Sequence, residues 1–427
     1  MREAVDCALG MIDTHLQKGH EIPVNPKRET TFAPFGPDGS IASVSSYYVL
    51  ERNHEALFSA VYQDVMSTPE AGDLLEYVSS SPAASTLLCD AGGNRIRDPK
   101  DAKNWLVSRC LRPIVVRCLR DNVRRPVSRD YLDDLLGQLE NYVASDSFLV
   151  TFWTPLANFE STIARADISD VLILRELTEQ ERIQLWTGSE EGMVDRWDVL
   201  RVRFALETTY AVPKFGGVDE SDAAQQFERC VAAMRLVKAG AVASYVTIHR
   251  ESESTPFFGA SGSSARAAPR GPGPRYRLDA TDVDSVKALY SGLTAKPLRG
   301  DVGLAIERFN DGTERQRYED RLIDYWIALE ALFSPSDRLE LRYRLRLRTA
   351  YFLERDPGGR ERIYDELGDS YDARSAVVHG RKPEVDLRTV CDQTEEIVRS
   401  TLRRIVMSDE PFDGEHLDSM IARGEPT

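Results

Sequence analysis

Residues 315–335, RQRYEDRLIDYWIALEALFSP, set the tightest constraint on the fold. The middle of the segment is apolar on nearly every side of a helix: Leu322, Ile323, Tyr325, Trp326, Ile327, Leu329, Leu332 and Phe333. A helix with no face for water belongs at the centre of a bundle, and Pro335 stops it. The flanking segments agree. Residues 301–311 read as a helix, with Asn310-Asp-Gly312 as the break before the central one. Residues 338–354 alternate Leu339, Leu341, Tyr343, Leu345 and Leu347 with Arg342, Arg344, Arg346 and Arg348, which is the period of a strand. Their length without a turn signal, the helix propensity of Leu and Arg, and helical neighbours on both sides predict a helix instead. In 360–380, Ile363, Leu367, Tyr371 and Val378 mark an inner face, and Gly380 and Pro383 close the helix. Residues 386–407 turn Leu387, Val390, Cys391, Ile397, Val398, Leu402, Ile405 and Val406 inward. Four or five helices with short connections predict an antiparallel bundle over 300–408.

The first 300 residues mix helix and strand signals. Residues 54–77, 100–120 and 128–143 read as helices, the last capped by Ser128. Strand-like runs follow at 147–156, 170–177, 200–212 and 243–251. Thr178-Glu-Gln-Glu181 is a capping-box pattern that opens a helix through Trp186. A further helix over 221–239 turns Phe227, Cys230, Val231, Met234 and Leu236 inward. Residues 252–275 shift to Gly, Ser, Ala and Pro and predict a flexible loop, made positive by Arg266, Arg270 and Arg275. Strand character returns at 275–282 before another helix. A chain of 427 residues is too long for one ordinary core. The expected division is a mostly helical region at 1–145, a mixed α/β domain at 146–299, the helical bundle at 300–408 and a tail at 409–427. The expected class is α+β, a mixed α/β N-terminal region followed by an all-α bundle.

The apolar fraction of 42% and charged fraction of 29% describe a globular chain. It lacks the run of about 18 apolar residues that a spanning helix needs, and the charged start MREAVD lacks an apolar signal core. The six cysteines form no C-x-x-C pair, and three of them fall in apolar helical patterns, as reduced, buried thiols do. The six histidines are scattered, and the pattern predicts no metal site and no cofactor. A cytoplasmic protein without membrane attachment is expected. The net charge of −15 argues against holding nucleic acid by general backbone attraction, so any RNA contact must come from a local basic surface. The arginines of 342–348, with Arg381 and Lys382, are the candidates. Their ordinary alternative is a solvated helix flank.

Glu330 lies inside the central apolar stretch, where a carboxylate is costly unless paired. It is either one half of a structural ion pair or a group that orients a catalytic residue. The segment Tyr371-Asp-Ala-Arg-Ser-Ala-Val-Val-His-Gly380 carries the sharper signal. With Asp320-Arg-Leu-Ile-Asp-Tyr-Trp-Ile-Ala-Leu-Glu-Ala-Leu-Phe333 and Glu340-Leu-Arg-Tyr-Arg-Leu-Arg-Leu-Arg348 ahead of it, it resembles the Apea-like branch of HEPN domains. That resemblance covers about a quarter of the chain, roughly 300–408. It implies a helical bundle that forms a homodimer, with an RNA-cleaving site in the dimer cleft fed by both copies of the Arg and His motif. It also implies a role in prokaryotic antiviral defence, where cutting host RNA arrests growth. The N-terminal region would then be a regulator that answers a phage-derived trigger or a partner. A catalytically silent module binding RNA, nucleotide or protein, and a bundle that only dimerises, are the alternatives.

The chemistry suits the residues. RNA supplies its own nucleophile, the 2′-OH, which attacks the adjacent phosphorus. Histidine moves protons near neutral pH, and the arginine fork stabilises charge on the phosphorane. Loss of one such group costs about 10²–10⁴ in rate. The catalytic candidates are Arg374 and His379, with Asp372 and Ser375 near enough in sequence to assist and Glu330 in support. Five residues apart on a helix, Arg374 and His379 point about 140° from each other. Either Arg374 reaches round or a second protomer completes the site. The packing alternative has Arg374 bridging Glu330 and His379 closing the helix.

Overall fold

The computed structural model describes residues 1–32, 44–90, 93–121, 128–190, 201–215, 218–244, 246–251, 261–265, 274–295, 300–334, 341–413 and 416–423. The fold is α+β with a helical C-terminal region.

The chain opens with α1 (Arg2–Gln17), an antiparallel hairpin of β1 (Val24–Phe32) and β2 (Val44–Arg52), and helices α2 (His54–Met66), α3 (Pro69–Ser80), α4 (Pro99–Leu106), α5 (Arg112–Arg120) and α6 (Arg129–Ala144). The single helix expected over 54–77 is two. Thr68 accepts from the amide of Ala71, and Pro69 takes the first helical position, where its missing N–H costs nothing. Ser128 caps α6 by accepting from Tyr131 N. Val5, Ile12, Leu57, Phe58, Leu106 and Ile114 belong to an apolar cluster drawn from residues 4–139 alone. The hairpin left no mark in the sequence reading. Tyr48 and Leu50, on one face of β2, are 71% and 73% exposed, so that face imposes no buried alternating pattern.

The next unit is built on a sheet of β3 (Ser147–Ala157), β5 (Arg165–Asp167), β6 (Leu172–Glu176), β7 (Phe204–Pro213), β8 (Ala243–Ser244), β9 (Val246–Glu251) and β10 (Ser261–Ala265). Its order is β10-β9-β3-β7-β6-β5, antiparallel throughout, with β8 also on β3. A short parallel pair joins β4 (Phe159–Ser161) to β11 (Tyr276–Leu278). Helices α7 (Glu179–Glu190), α8 (Ser221–Val237) and α9 (Val283–Ala295) accompany the sheet. Both faces of β3 are covered: Val150 and Phe152 enter the main core, while Trp153 packs in a separate cluster with Leu177, Leu185 and Ile248. The capping box forms, with Thr178 N donating to Glu181 Oε2 at 2.9 Å and Glu181 N to Thr178 Oγ1 at 3.2 Å. The expected loop over 252–275 is only partly described. Residues 252–260 and 266–273, including Arg266 and Arg270, lie outside the described residues. Residues 261–265 are a strand, paired with β9 from Ser261↔Arg250 to Ala265↔Val246. A backbone ladder needs no apolar side chain, so composition alone missed it.

The helical part comprises α10 (Gly300–Glu314), α11 (Tyr318–Phe333), α12 (Leu341–Leu353), α13 (Pro357–Val378), α14 (Leu387–Met407) and α15 (His416–Arg423). Asn310-Asp-Gly312 does not break the chain; α10 runs through it. Gly312 serves a helix crossing instead, because a Cβ there would lie 2.5 Å from Cε1 of the buried Tyr325 ring. The central helix α11 buries Leu322, Tyr325, Trp326, Leu329, Leu332 and Phe333; Pro335 and Leu339 lie outside the described residues. The alternating segment is the helix α12 over its described length. The expected tail is in part a packed element. Leu417 is buried, and Phe412 sits edge-on to Phe333 and Phe352 with ring centroids 5.7 and 5.4 Å apart. One apolar cluster runs from Val150 to Leu417, so the sheet unit and the helical region share a core. Among the described residues no helix is long and apolar enough to cross a membrane.

Candidate functional site

The candidate site grows from α13. Asp356 caps its start by accepting from Gly359 N, and Pro357 opens the first turn. Farther along, α13 and α11 run parallel and are joined by polar bridges one turn apart. Trp326 Nε1 donates to Ser370 Oγ at 2.9 Å, and Ser370 Oγ lies 2.6 Å from Thr394 Oγ1 of α14. Four residues on in both helices, Arg374 Nη2 meets Glu330 Oε1 at 3.2 Å. Arg374 therefore occupies the bundle-facing line continued from Ile363 and Leu367, yet its side chain stays 24% exposed and that of Glu330 27%. Arg374 Nε is buried with no hydrogen-bond partner among the described residues.

His379 stands at the C-terminal cap of α13. Its N–H donates to Ser375 O, Gly380 N to Val377 O and Arg381 N to Ala376 O, while Gly380 adopts φ 65°. This is a Schellman closure, and the left-handed φ suits glycine. The His379 side chain is exposed beside exposed Arg381 and Lys382. Val378, expected on the inner face, is 56% exposed. The apolar stripe through Ile363 and Leu367 is left uncovered in the last turn of α13.

Asp372 is exposed and accepts from Arg342 Nη2 at 2.8 Å. The Arg342 guanidinium lies 4.9 Å over the Tyr371 ring, which in turn meets Trp326 edge-on at 5.3 Å. This stack orders one cation beside the Arg374 turn. The other arginines of α12 divide. Arg346 donates to Tyr364 O at 2.8 Å, lies 3.7 Å over the Tyr364 ring and keeps only 13% of its side chain exposed. Arg344 is half-buried. Arg348 leaves the expected RNA-facing set, being 2% exposed. Its guanidinium donates to Phe333 O at 2.8 Å and to both oxygens of Asp418 at 2.8 and 2.6 Å, tying α15 to the bundle. These hydrogen bonds from Arg348 hold the Asp418 carboxyl below its ordinary range, helped by the Arg344 charge.

The structure thus joins Arg374 to Glu330 and Asp372 to Arg342, and places Ser375 half-buried between Arg374 and the cap. Arg374 turns to Glu330, while His379, at the cap just past α13, is exposed. The Tyr371–Arg342 stack and the Ser370 bridge escaped sequence reasoning. The four-residue spacings 326/330 and 370/374 were the available signal. Among the described residues no three His, Cys, Asp or Glu side chains are grouped as metal ligands. The six cysteines are unpaired thiols, and burial pushes those of Cys110 and Cys391 up to about 12. No protein-family model, no curated protein and no solved structure matches this chain.

Proposed function

We propose that the helical region from α10 to α14 is an endoribonuclease unit of HEPN type, with Arg374 and His379 as its catalytic residues. One observation carries the reading: Glu330 fixes a guanidinium that remains partly open to solvent, one and a half turns from an exposed, glycine-capped histidine. In this reading His379 takes the proton from the ribose 2′-OH as O2′ bonds to phosphorus. Arg374 stabilises the charge on the non-bridging oxygens. The P–O5′ bond breaks, the leaving O5′ takes up a proton, and the products are a 2′,3′-cyclic phosphate and a 5′-OH. The divergence of the two side chains makes a second copy of the chain the natural source of the missing partner. Arg342, Arg381 and Lys382 supply the local positive surface that a chain of net charge −15 needs to hold RNA.

The competing reading is a silent binding module. It is favoured by the structural roles that Arg374 and His379 already fill, one pairing Glu330 and the other ending a helix. Expression in bacteria separates the two. Wild type is expected to arrest growth and fragment cellular RNA, and His379→Ala to do neither. Equal RNA profiles from both chains would leave the binding module.

A further inference from the structure

A cavity of about 400 Å³ opens between the sheet unit and the helical region, away from Arg374 and His379. One wall is small and apolar, made by Ala239, Gly240, Ala241 and Pro274. Gly240 brings this wall close to the strand beneath it, since a Cβ there would lie 2.8 Å from Tyr276 Cα. The opposite wall is charged. Glu395, 5% exposed, accepts from Arg321 and Arg399, and from Tyr325 Oη at 2.9 Å. Arg399 is committed elsewhere as well: its Nε donates to Arg235 O at 2.8 Å, and Nη1 pairs with Glu396.

Arg321 is different. It is 3% exposed, its Nη2 serves Glu395 and Tyr325, and its Nε is buried with no hydrogen-bond partner among the described residues. A buried guanidinium with an open donor calls for an acceptor. At the rim, Arg388 is 72% exposed and only loosely paired, 3.8 Å from Asp392. Tyr318 completes this side, its ring 5.5 Å from the Arg321 guanidinium.

We propose that this cavity binds a small molecule carrying one oxyanion group, carboxylate or phosphate, on a compact apolar body. The oxyanion meets Arg321 and Arg388, and the body lies against Ala239, Gly240 and Pro274. Two guanidinium forks with spare donors match the planar oxygens of such a group. The size falls at the small end of ligand cavities. Glu395 and Glu396 are neutralised by Arg399 and Arg321, which leaves Asp392 as the one carboxylate facing the ligand. Burial holds the Asp392 carboxyl above its ordinary range, against the pull of Arg321.

The full chain titrated with benzoate, phenyl phosphate and inorganic phosphate tests this by calorimetry and thermal shift. Saturable binding of benzoate or phenyl phosphate is expected, tighter than that of inorganic phosphate, and the tighter of the two aromatic probes identifies the oxyanion. Arg388→Ala, at an exposed position, is expected to weaken binding by about tenfold or more. Asp392→Asn is expected to tighten it several-fold. Ala239→Trp, which fills the cavity from an exposed position without touching a charge, is expected to abolish it. Absence of saturable binding of both aromatic probes, or affinities unchanged in Arg388→Ala and Ala239→Trp proteins that melt like wild type, would overturn the proposal.

Discussion

Exchanging Arg374 for lysine separates catalysis from packing. The Arg374–Glu330 pair is about three-quarters buried on each side. Removing Glu330 as alanine strands the arginine, and the cost is expected near 1–3 kcal/mol. That lies between the about 0.2–1 of exposed pairs and the about 3–5 of a stranded buried partner. Arg374→Lys keeps a cation within reach of Glu330, so its stability loss is expected at or below about 1 kcal/mol. Its chemistry differs more. Lysine is a point charge without the planar fork that spans two phosphorane oxygens. Loss of that fork is expected to lower the cleavage rate by about 10²–10³. Urea denaturation gives the first quantity, and single-turnover cleavage of a labelled RNA gives the second. A lysine variant that loses several kcal/mol yet cuts at the wild-type rate would make Arg374 a packing residue and refute the reasoning.

Gly312→Ala drives a methyl group into the buried Tyr325 ring, so a loss of about 1–3 kcal/mol is expected in urea denaturation. Ser370→Ala leaves the indole N–H of buried Trp326 without its acceptor, with an expected loss of about 1–3 kcal/mol by the same assay. Asp418 has its folded-state pKa depressed by Arg348, so the α15 contact contributes fully above the unfolded carboxylate value. It weakens as pH falls through the lower folded value. Amide exchange across α15 is expected to speed up in acid, and Asp418→Asn to show fast exchange already at neutral pH.

The helical region was legible because its signals were redundant. Gly380 at the cap and the apolar face through Ile363 and Leu367 agreed in α13, the apolar face marked α14, and six of the eight apolar residues read in α11 are buried. The alternation of α12 was misleading as a period but not as a propensity, since leucine and arginine form helices well. Single residues read less reliably where one residue type serves two purposes. Gly312 looked like a turn and is a close helix contact. Arg348 looked like one more surface cation and is buried against Phe333 O and Asp418, a partner 70 residues away that no local pattern reveals. The β1–β2 hairpin and β10 were missed because their backbone pairing leaves no apolar period to read, with Tyr48 and Leu50 exposed and β10 made of Ser, Gly and Ala. At the site, spacing gave the 140° divergence of Arg374 and His379. Only the structure shows which way each faces: Arg374 toward Glu330, His379 toward solvent.

The chemistry of the cut ends tests the central claim most directly. RNA incubated with the purified chain in EDTA is expected to gain 2′,3′-cyclic phosphate and 5′-OH ends, and none when His379→Ala replaces wild type. RNA left intact by wild type, 3′-OH and 5′-phosphate ends, or the same cleavage by both proteins would contradict it.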